Sequence, residues 1–176
     1  MKRIALTGGI ACGKSLVARY LNELGIETID ADDVAHELMP DPDERRRVAA
    51  EVFADPEKRR ALESWMHPLI KERIDAFFKD APSSGSIRIA VVPLLFETHW
   101  DENYDIICTV FSEPETQISR MTAKRGYSRE EAEGRMAAQM SVSEKVARSH
   151  YTIRNDSSEH DLRVEVERFA SWLKSH

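Results

Sequence analysis

Ile4-Ala5-Leu6-Thr7-Gly8-Gly9-Ile10-Ala11-Cys12-Gly13-Lys14-Ser15-Leu16 opens as a short apolar run and ends inside a helical pattern. Gly8 to Ser15 matches G-x-x-x-x-G-K-[ST] without adjustment. Glycines let the backbone wrap closely, so successive N–H groups can face phosphate oxygens. The helix that follows adds the positive end of its dipole to the same place. Lys14 is expected to reach the β- and γ-phosphates of a nucleotide, and the Ser15 hydroxyl to hold Mg²⁺. Gly8, Gly9, Ile10, Ala11, Cys12, Gly13, Lys14, Ser15 and Leu16 are therefore the candidate nucleotide-binding residues.

Working outward, apolar runs alternate with helical patterns, which predicts a five-stranded parallel α/β sheet flanked by helices. The strands are read at 4–7, 26–29, 87–92, 106–111 and, more weakly, 151–153. A helix from Lys14 to Leu24 shows Val17, Leu21 and Leu24 on one face and stops at Gly25. Ser112 with Glu115, Ser128 with Glu131 and Ser141 with Glu144 have capping-box spacing. Asp41-Pro42 and Asp55-Pro56 read as N-caps followed by proline, and His67-Pro68 as the start of a further helix. The last helix is read from about Asp161 to Leu173, with Leu162, Val166, Phe169 and Leu173 as its stripe. Ala81 to Ser86 reads as a loop. The segment Asp41 to Glu63 holds 7 acidic and 6 basic side chains and reads as a solvated helical insertion. The organisation expected is a single domain: a core of 1–30, 87–112 and 150–176, a helical insertion at about 31–80, and a lid at about 117–140.

With 176 residues, the chain can build one core without disulfides or structural metal. Its formal net charge of −6 argues against a dedicated nucleic-acid binder, since those are usually basic. No apolar run approaches the roughly 20 residues of a membrane span. Cys12 and Cys108 are far apart and form no CxxC pair, so two reduced thiols in a cytoplasmic protein are expected. The chain is expected to act as a monomer.

The remaining residues narrow the chemistry. A GTPase would carry an NKxD tetrapeptide and a transporter ATPase an LSGGQ run; neither is present. A small kinase needs a base for the acceptor hydroxyl, cations for the transferring phosphoryl group and a lid against water. Asp30-Ala31-Asp32-Asp33 follows the second strand, where a parallel sheet faces its ligand crevice. Asp32 is chosen as the base, with Asp30 and Asp33 equally readable as a helix cap and its first turn. Arg120 and Arg125 are chosen as phosphate clamps from the cationic stretch that ends at Arg135; Lys124 and Arg129 are read as solvated.

Taken together, these residues resemble the dephospho-CoA kinase family over nearly the whole chain. Thr7 to Ser15 is similar to its TGGIGSGKST opening, Asp30-Ala31-Asp32 to its DAD motif, and His67-Pro68 to its HP element. Pro93-Leu94-Leu95-Phe96-Glu97 is similar to its PLL-x-E element, and Gln117-x-x-Arg120, Arg125, Gln139 and Asn155 to its lid and late-asparagine positions. The resemblance implies transfer of the ATP γ-phosphoryl group to the ribose 3′-hydroxyl of 3′-dephospho-CoA. It implies Asp32 as base and Lys14, Arg120 and Arg125 as stabilisers of transferred charge. It places His67, Pro93, Leu95 and Glu97 on the acceptor side and Asn155 near the nucleotide. Three departures stand out. Ala11-Cys12 replaces Gly-Ser and Leu16 replaces Thr; the insertion after His36 is trimmed; and Ser149-His150 replaces Ala-Asp. A cysteine at a helix N-terminus is expected to ionise readily and react with thiol reagents. The trimming is expected to fall on acceptor affinity more than on ATP binding. Two alternatives remain at this point: another small-molecule kinase, and a nucleotide binder that has lost catalysis.

Overall fold

The computed structural model describes residues 2–81 and 86–176. The loop expected at Ala81 to Ser86 lies mostly outside the described residues. Five strands form one parallel sheet: β1 (Ile4–Gly8), β2 (Glu27–Asp30), β3 (Arg88–Val91), β4 (Ile106–Phe111) and β5 (Tyr151–Arg154). Their order is β2-β3-β1-β4-β5. Strand β1 sits between β3 and β4, with Ala5 opposite both Ala90 and Ile107. The chain leaves β1 toward β2 and β3 on one side, and β4 and β5 lie on the other. A crevice therefore opens at the carboxyl end of β1, where the glycine loop begins.

Both faces of the sheet are covered, as its apolar strands require. Helices α1 (Lys14–Glu23) and α8 (Glu159–Lys174) cover one face. Val17, Leu21, Leu162, Val166, Phe169 and Leu173 pack there against Ile4, Leu6, Cys108 and Val110. Leu24 is the exception to the stripe expected on α1: it is 44% exposed beyond the helix end. Helices α2 (Ala31–Leu38) and α4 (Pro56–Lys79) cover the opposite face with Val34, Ile70, Ile74 and Phe78.

Helix starts follow their caps. Ser128 and Ser141 make reciprocal capping boxes with Glu131 and Glu144 at α6 (Arg129–Ala137) and α7 (Val142–Ala147). Ser158 does the same with Asp161 on α8, which starts two residues earlier than the sequence suggests. Ser112 does not cap α5 (Pro114–Arg125); Glu113 occupies that position and Ser112 is buried. His67-Pro68 does not start a helix either. Helix α4 runs unbroken from Pro56 through Pro68 to Lys79, capped at its start by Asp55. Proline 68 removes one N–H, but the buried Ile70, Ile74 and Phe78 hold the helix onto the sheet beyond it.

The connection between α2 and the next helix is closed locally. Helix α3 (Pro42–Ala54) follows α2 after only three residues. The Arg45 guanidinium donates to the carbonyls of Met39 at 2.6 Å and Pro40 at 2.9 Å, satisfying acceptors left over at the end of α2.

Candidate active site

The glycine loop is held by its carbonyls. Lys14 Nζ donates to Gly8 O at 3.0 Å and Gly9 O at 2.9 Å. Gln117 Nε2 donates to Ile10 O at 2.6 Å, Arg120 to Ala11 O at 3.2 Å, and Asn155 Nδ2 to Cys12 O at 2.8 Å. Every carbonyl from Gly8 to Cys12 is thus engaged by a side chain. The N–H of Ile10 is taken by Gln139 Oε1 at 3.2 Å. The N–H groups of Ala11, Gly13, Lys14 and Ser15 have no partner among the described residues. Helix α1 adds an uncapped N-terminus with no acidic residue in its first turn. The arrangement is an anion cradle: donors are free and acceptors are occupied.

Gly8 and Gly13 leave no room for a side chain unless a neighbour shifts. A Cβ on Gly8 would stand 2.5 Å from the Val110 carbonyl oxygen. One on Gly13, whose φ is +94°, would stand 2.3 Å from Asn155 Nδ2. Ala11, which replaces a glycine of the family pattern, carries a left-handed φ of 58°. That conformation is open to alanine at modest cost.

Lys14, Ser15, Arg120, Arg125 and Asn155 line one cleft of about 430 Å³ beside this cradle. Burial lowers the Lys14 pKa, an effect that Lys145 reinforces and Asp32 and Asp30 oppose. Arg125 is exposed at the end of α5, and its guanidinium has no partner among the described residues. Arg120 is differently placed. Besides Ala11 O, it donates to Ser112 Oγ at 2.9 Å and to Asn155 O at 2.7 Å. Asn155 is buried and ties Arg120 to the loop, so both act on the shape of the cradle.

A second cleft, of about 100 Å³, gathers Asp32, His67, Pro93, Leu94 and Trp100. The His67 ring meets Trp100 edge-on at 5.3 Å. Asp32 is exposed in the first turn of α2, and its carboxylate has no hydrogen-bond partner among the described residues. Asp30 is the N-cap, accepting from the Asp32 N–H at 2.9 Å. Burial raises the Asp30 pKa, and the neighbouring Asp32 and Asp33 charges add to that rise. Ser15, Asp30 and Asp33 border a further groove along α1.

Three sequence expectations change here. Leu95 is fully buried in the core under the second cleft, and the exposed Leu94 lines it instead. Glu97 turns away from the cleft: its carboxylate accepts from Met140 N–H at 3.0 Å and pairs with Lys145 at 2.8 Å. Cys12 is fully buried beneath the loop, and burial pushes its thiol pKa up despite the helix end and Lys14. Desolvation of the thiolate outweighs the dipole there.

Sequence reasoning overlooked Ser112 and Lys145. Ser112 was masked by its capping-box spacing. Lys145 carried a signal: it stands three residues after buried Val142 and beside Val146, a cation on an apolar helical face.

A model of the dephospho-CoA kinase family matches residues 2–44 and 42–161. Dephospho-CoA kinase of Symbiobacterium thermophilum is 38% identical over 98% of this chain and 80% of its own length. That of Geobacter sulfurreducens is 35% identical over 99% and 98%. Among solved structures, TT1252 from Thermus thermophilus superposes with a TM-score of 0.83 at 30% identity, over 98% of this chain and 97% of that one. Dephospho-CoA kinase from Campylobacter jejuni gives 0.73 at 23% identity, with the same coverage. A shikimate kinase from Bacteroides thetaiotaomicron shares the fold at 0.61 and 15% identity, over 98% of each chain. With the cradle, the free carboxylate and the family match in place, the chain belongs to the dephospho-CoA kinase family.

Proposed function

We propose that this chain transfers the γ-phosphoryl group of ATP to the ribose 3′-hydroxyl of 3′-dephospho-CoA, giving CoA and ADP. The observation that carries the reading is that Lys14 lines one cleft and lies close enough to Asp32, which lines the other, for their charges to interact. The free N–H cradle and Lys14 serve the nucleotide, while the unpartnered Asp32 carboxylate faces the acceptor.

Each residue then has a task. The N–H groups of Ala11, Gly13, Lys14 and Ser15 bind phosphate oxygens. Lys14 exchanges the Gly8 and Gly9 carbonyls for the β- and γ-phosphates, which restore the charge that burial disfavours. Asp32 accepts the proton of the attacking hydroxyl. Arg125, on the proposed lid, brings charge to the transferring group. Arg120 and Asn155 keep the cradle in shape and line the nucleotide cleft, where the Arg120 charge also serves the transferring phosphoryl group. His67, Pro93 and Leu94 form the acceptor wall, with α2 to α4 as the acceptor-binding insertion and 117–140 as the lid. Mg²⁺ fits the donors present. Ser15 offers a hydroxyl and Asp30 a carboxylate, oxygen ligands of the kind that ion takes together with nucleotide phosphates. The ion would neutralise charge on the phosphates. No helix of the described residues is long and apolar enough to cross a membrane. The free thiols suit the cytoplasm.

The test is a coupled ADP-release assay with ATP and Mg²⁺, run with dephospho-CoA, adenosine, AMP or shikimate as acceptor. Stimulation by dephospho-CoA alone, with CoA formed, is expected. Stimulation by another acceptor in its place, or by none, would overturn the reading.

A further inference from the structure

Lys145 is buried completely, on a helix of only six residues. Its ammonium contacts Glu97 Oε1 at 2.8 Å and Oε2 at 3.1 Å, and donates to the Pro93 carbonyl at 2.8 Å. The same carbonyl accepts from Thr7 Oγ1 on β1 at 3.3 Å. Glu97 in turn accepts from Met140 N–H. Met140 follows Gln139, whose side chain holds the Ile10 N–H of the glycine loop. Lys145 also lies close enough to Lys14 to act on it electrostatically.

A buried ion pair is a poor source of stability, because desolvating two charges offsets most of their attraction. Apolar side chains of similar volume would hold α7 to the sheet as well. What they would not do is fix three points at once: the Pro93 carbonyl at the acceptor wall, the backbone at Met140 where the lid rejoins the core, and through Gln139 the front of the glycine loop. We propose that Lys145 is a positioning residue of phosphoryl transfer, which through Pro93 and Glu97 locks the acceptor wall and the end of the lid in register with the loop. What is positioned rests on the kinase reading above. The lock itself is a property of the fold.

The test compares wild type, Lys145→Arg and the double variant Lys145→Met/Glu97→Gln. The double variant leaves no unpaired buried charge, so it is the safer of the neutral changes. Hydrogen exchange over residues 136–142 is measured beside kcat, KM for ATP and melting temperature. For the double variant, exchange at 138–142 should rise at least tenfold. Its kcat should fall at least tenfold, while KM for ATP and the melting temperature hold. Lys145→Arg keeps a cation able to serve Glu97 and Pro93, and should recover both readouts to within about threefold. Exchange and kcat within twofold of wild type in a folded double variant would overturn the proposal. So would a Lys145→Arg protein that folds yet is as impaired as the neutral pair, and this arm decides if the double variant does not fold. A wild type inactive on dephospho-CoA would remove the kinase reading, while exchange at 138–142 would still decide whether the lock exists.

Discussion

The two clefts are built differently. On the nucleotide side every loop carbonyl from Gly8 to Cys12 is tied down, and Arg120, Ser112 and Asn155 cross-link β4, α5 and β5 to the loop. On the acceptor side the exposed Asp32 carboxylate has no hydrogen-bond partner among the described residues, and none of the described side chains of α3 is buried. The first side is preorganised for an anion, with its N–H donors free and its carbonyls held. The second holds the Asp32 carboxylate beside His67 and Trp100, and Arg45 closes the short connection between α2 and α3. Preorganised donors act most strongly where charge develops, so substitutions on the nucleotide side should be costlier.

The largest effect should come from Lys14→Ala. Loss of its charge should lower kcat by about 10³-fold or more and weaken ATP binding, read by steady-state kinetics and titration calorimetry. Comparable turnover in this variant would break the contrast between the two sides. Asp32→Asn should cost about 10²- to 10⁴-fold in kcat, the range for a lost general base, with ATP affinity nearly unchanged. A parallel loss of ATP affinity would move Asp32 to the nucleotide side. Gly13→Ala sets a Cβ against Asn155 in a left-handed backbone. It should cost about 1–3 kcal/mol of stability, lowering the melting temperature by several degrees, and should weaken ATP binding as well.

The smallest effect concerns Cys12. Its thiol pKa is raised in the folded state by burial, and that of Cys108 is raised further by the same cause. The stability tied to these neutral thiols is therefore full below the ordinary thiol range of about 8.5, and falls as pH climbs through and beyond it. Both thiols should react with a disulfide reagent only as fast as the protein unfolds. ATP should slow the reaction further. A fast burst from one thiol in the folded protein would show that the loop breathes and that the nucleotide side is looser than its bonding suggests.

Much of this was legible in the sequence where local chemistry decides. The five strands are the five apolar runs, and the glycine loop follows from spacing alone. The residues that misled are those whose role is set across the fold. Ser112 has the spacing of a cap, but its hydroxyl donates to Asn155 O, 43 positions away. Pro68 carries a start signal, yet Asp55 had already begun the helix. Cys12 sits where a dipole favours a thiolate, and only its burial reverses that preference. Glu97 reads as an acceptor contact until Lys145, 48 positions on, is seen to hold it. Long-range pairing of this kind leaves no spacing pattern to read. The free carboxylate of Asp32 was within reach because it depends on one strand end and one helix start.

The acceptor cleft, small as it is, is expected to direct phosphate to one hydroxyl. Phosphorus NMR of the product from ATP, Mg²⁺ and dephospho-CoA tests it most directly. A single new monoester resonance coupled to the ribose 3′ proton is expected, formed by wild type and lost in Asp32→Asn. ADP produced without that resonance, or with phosphate on another hydroxyl, would contradict it.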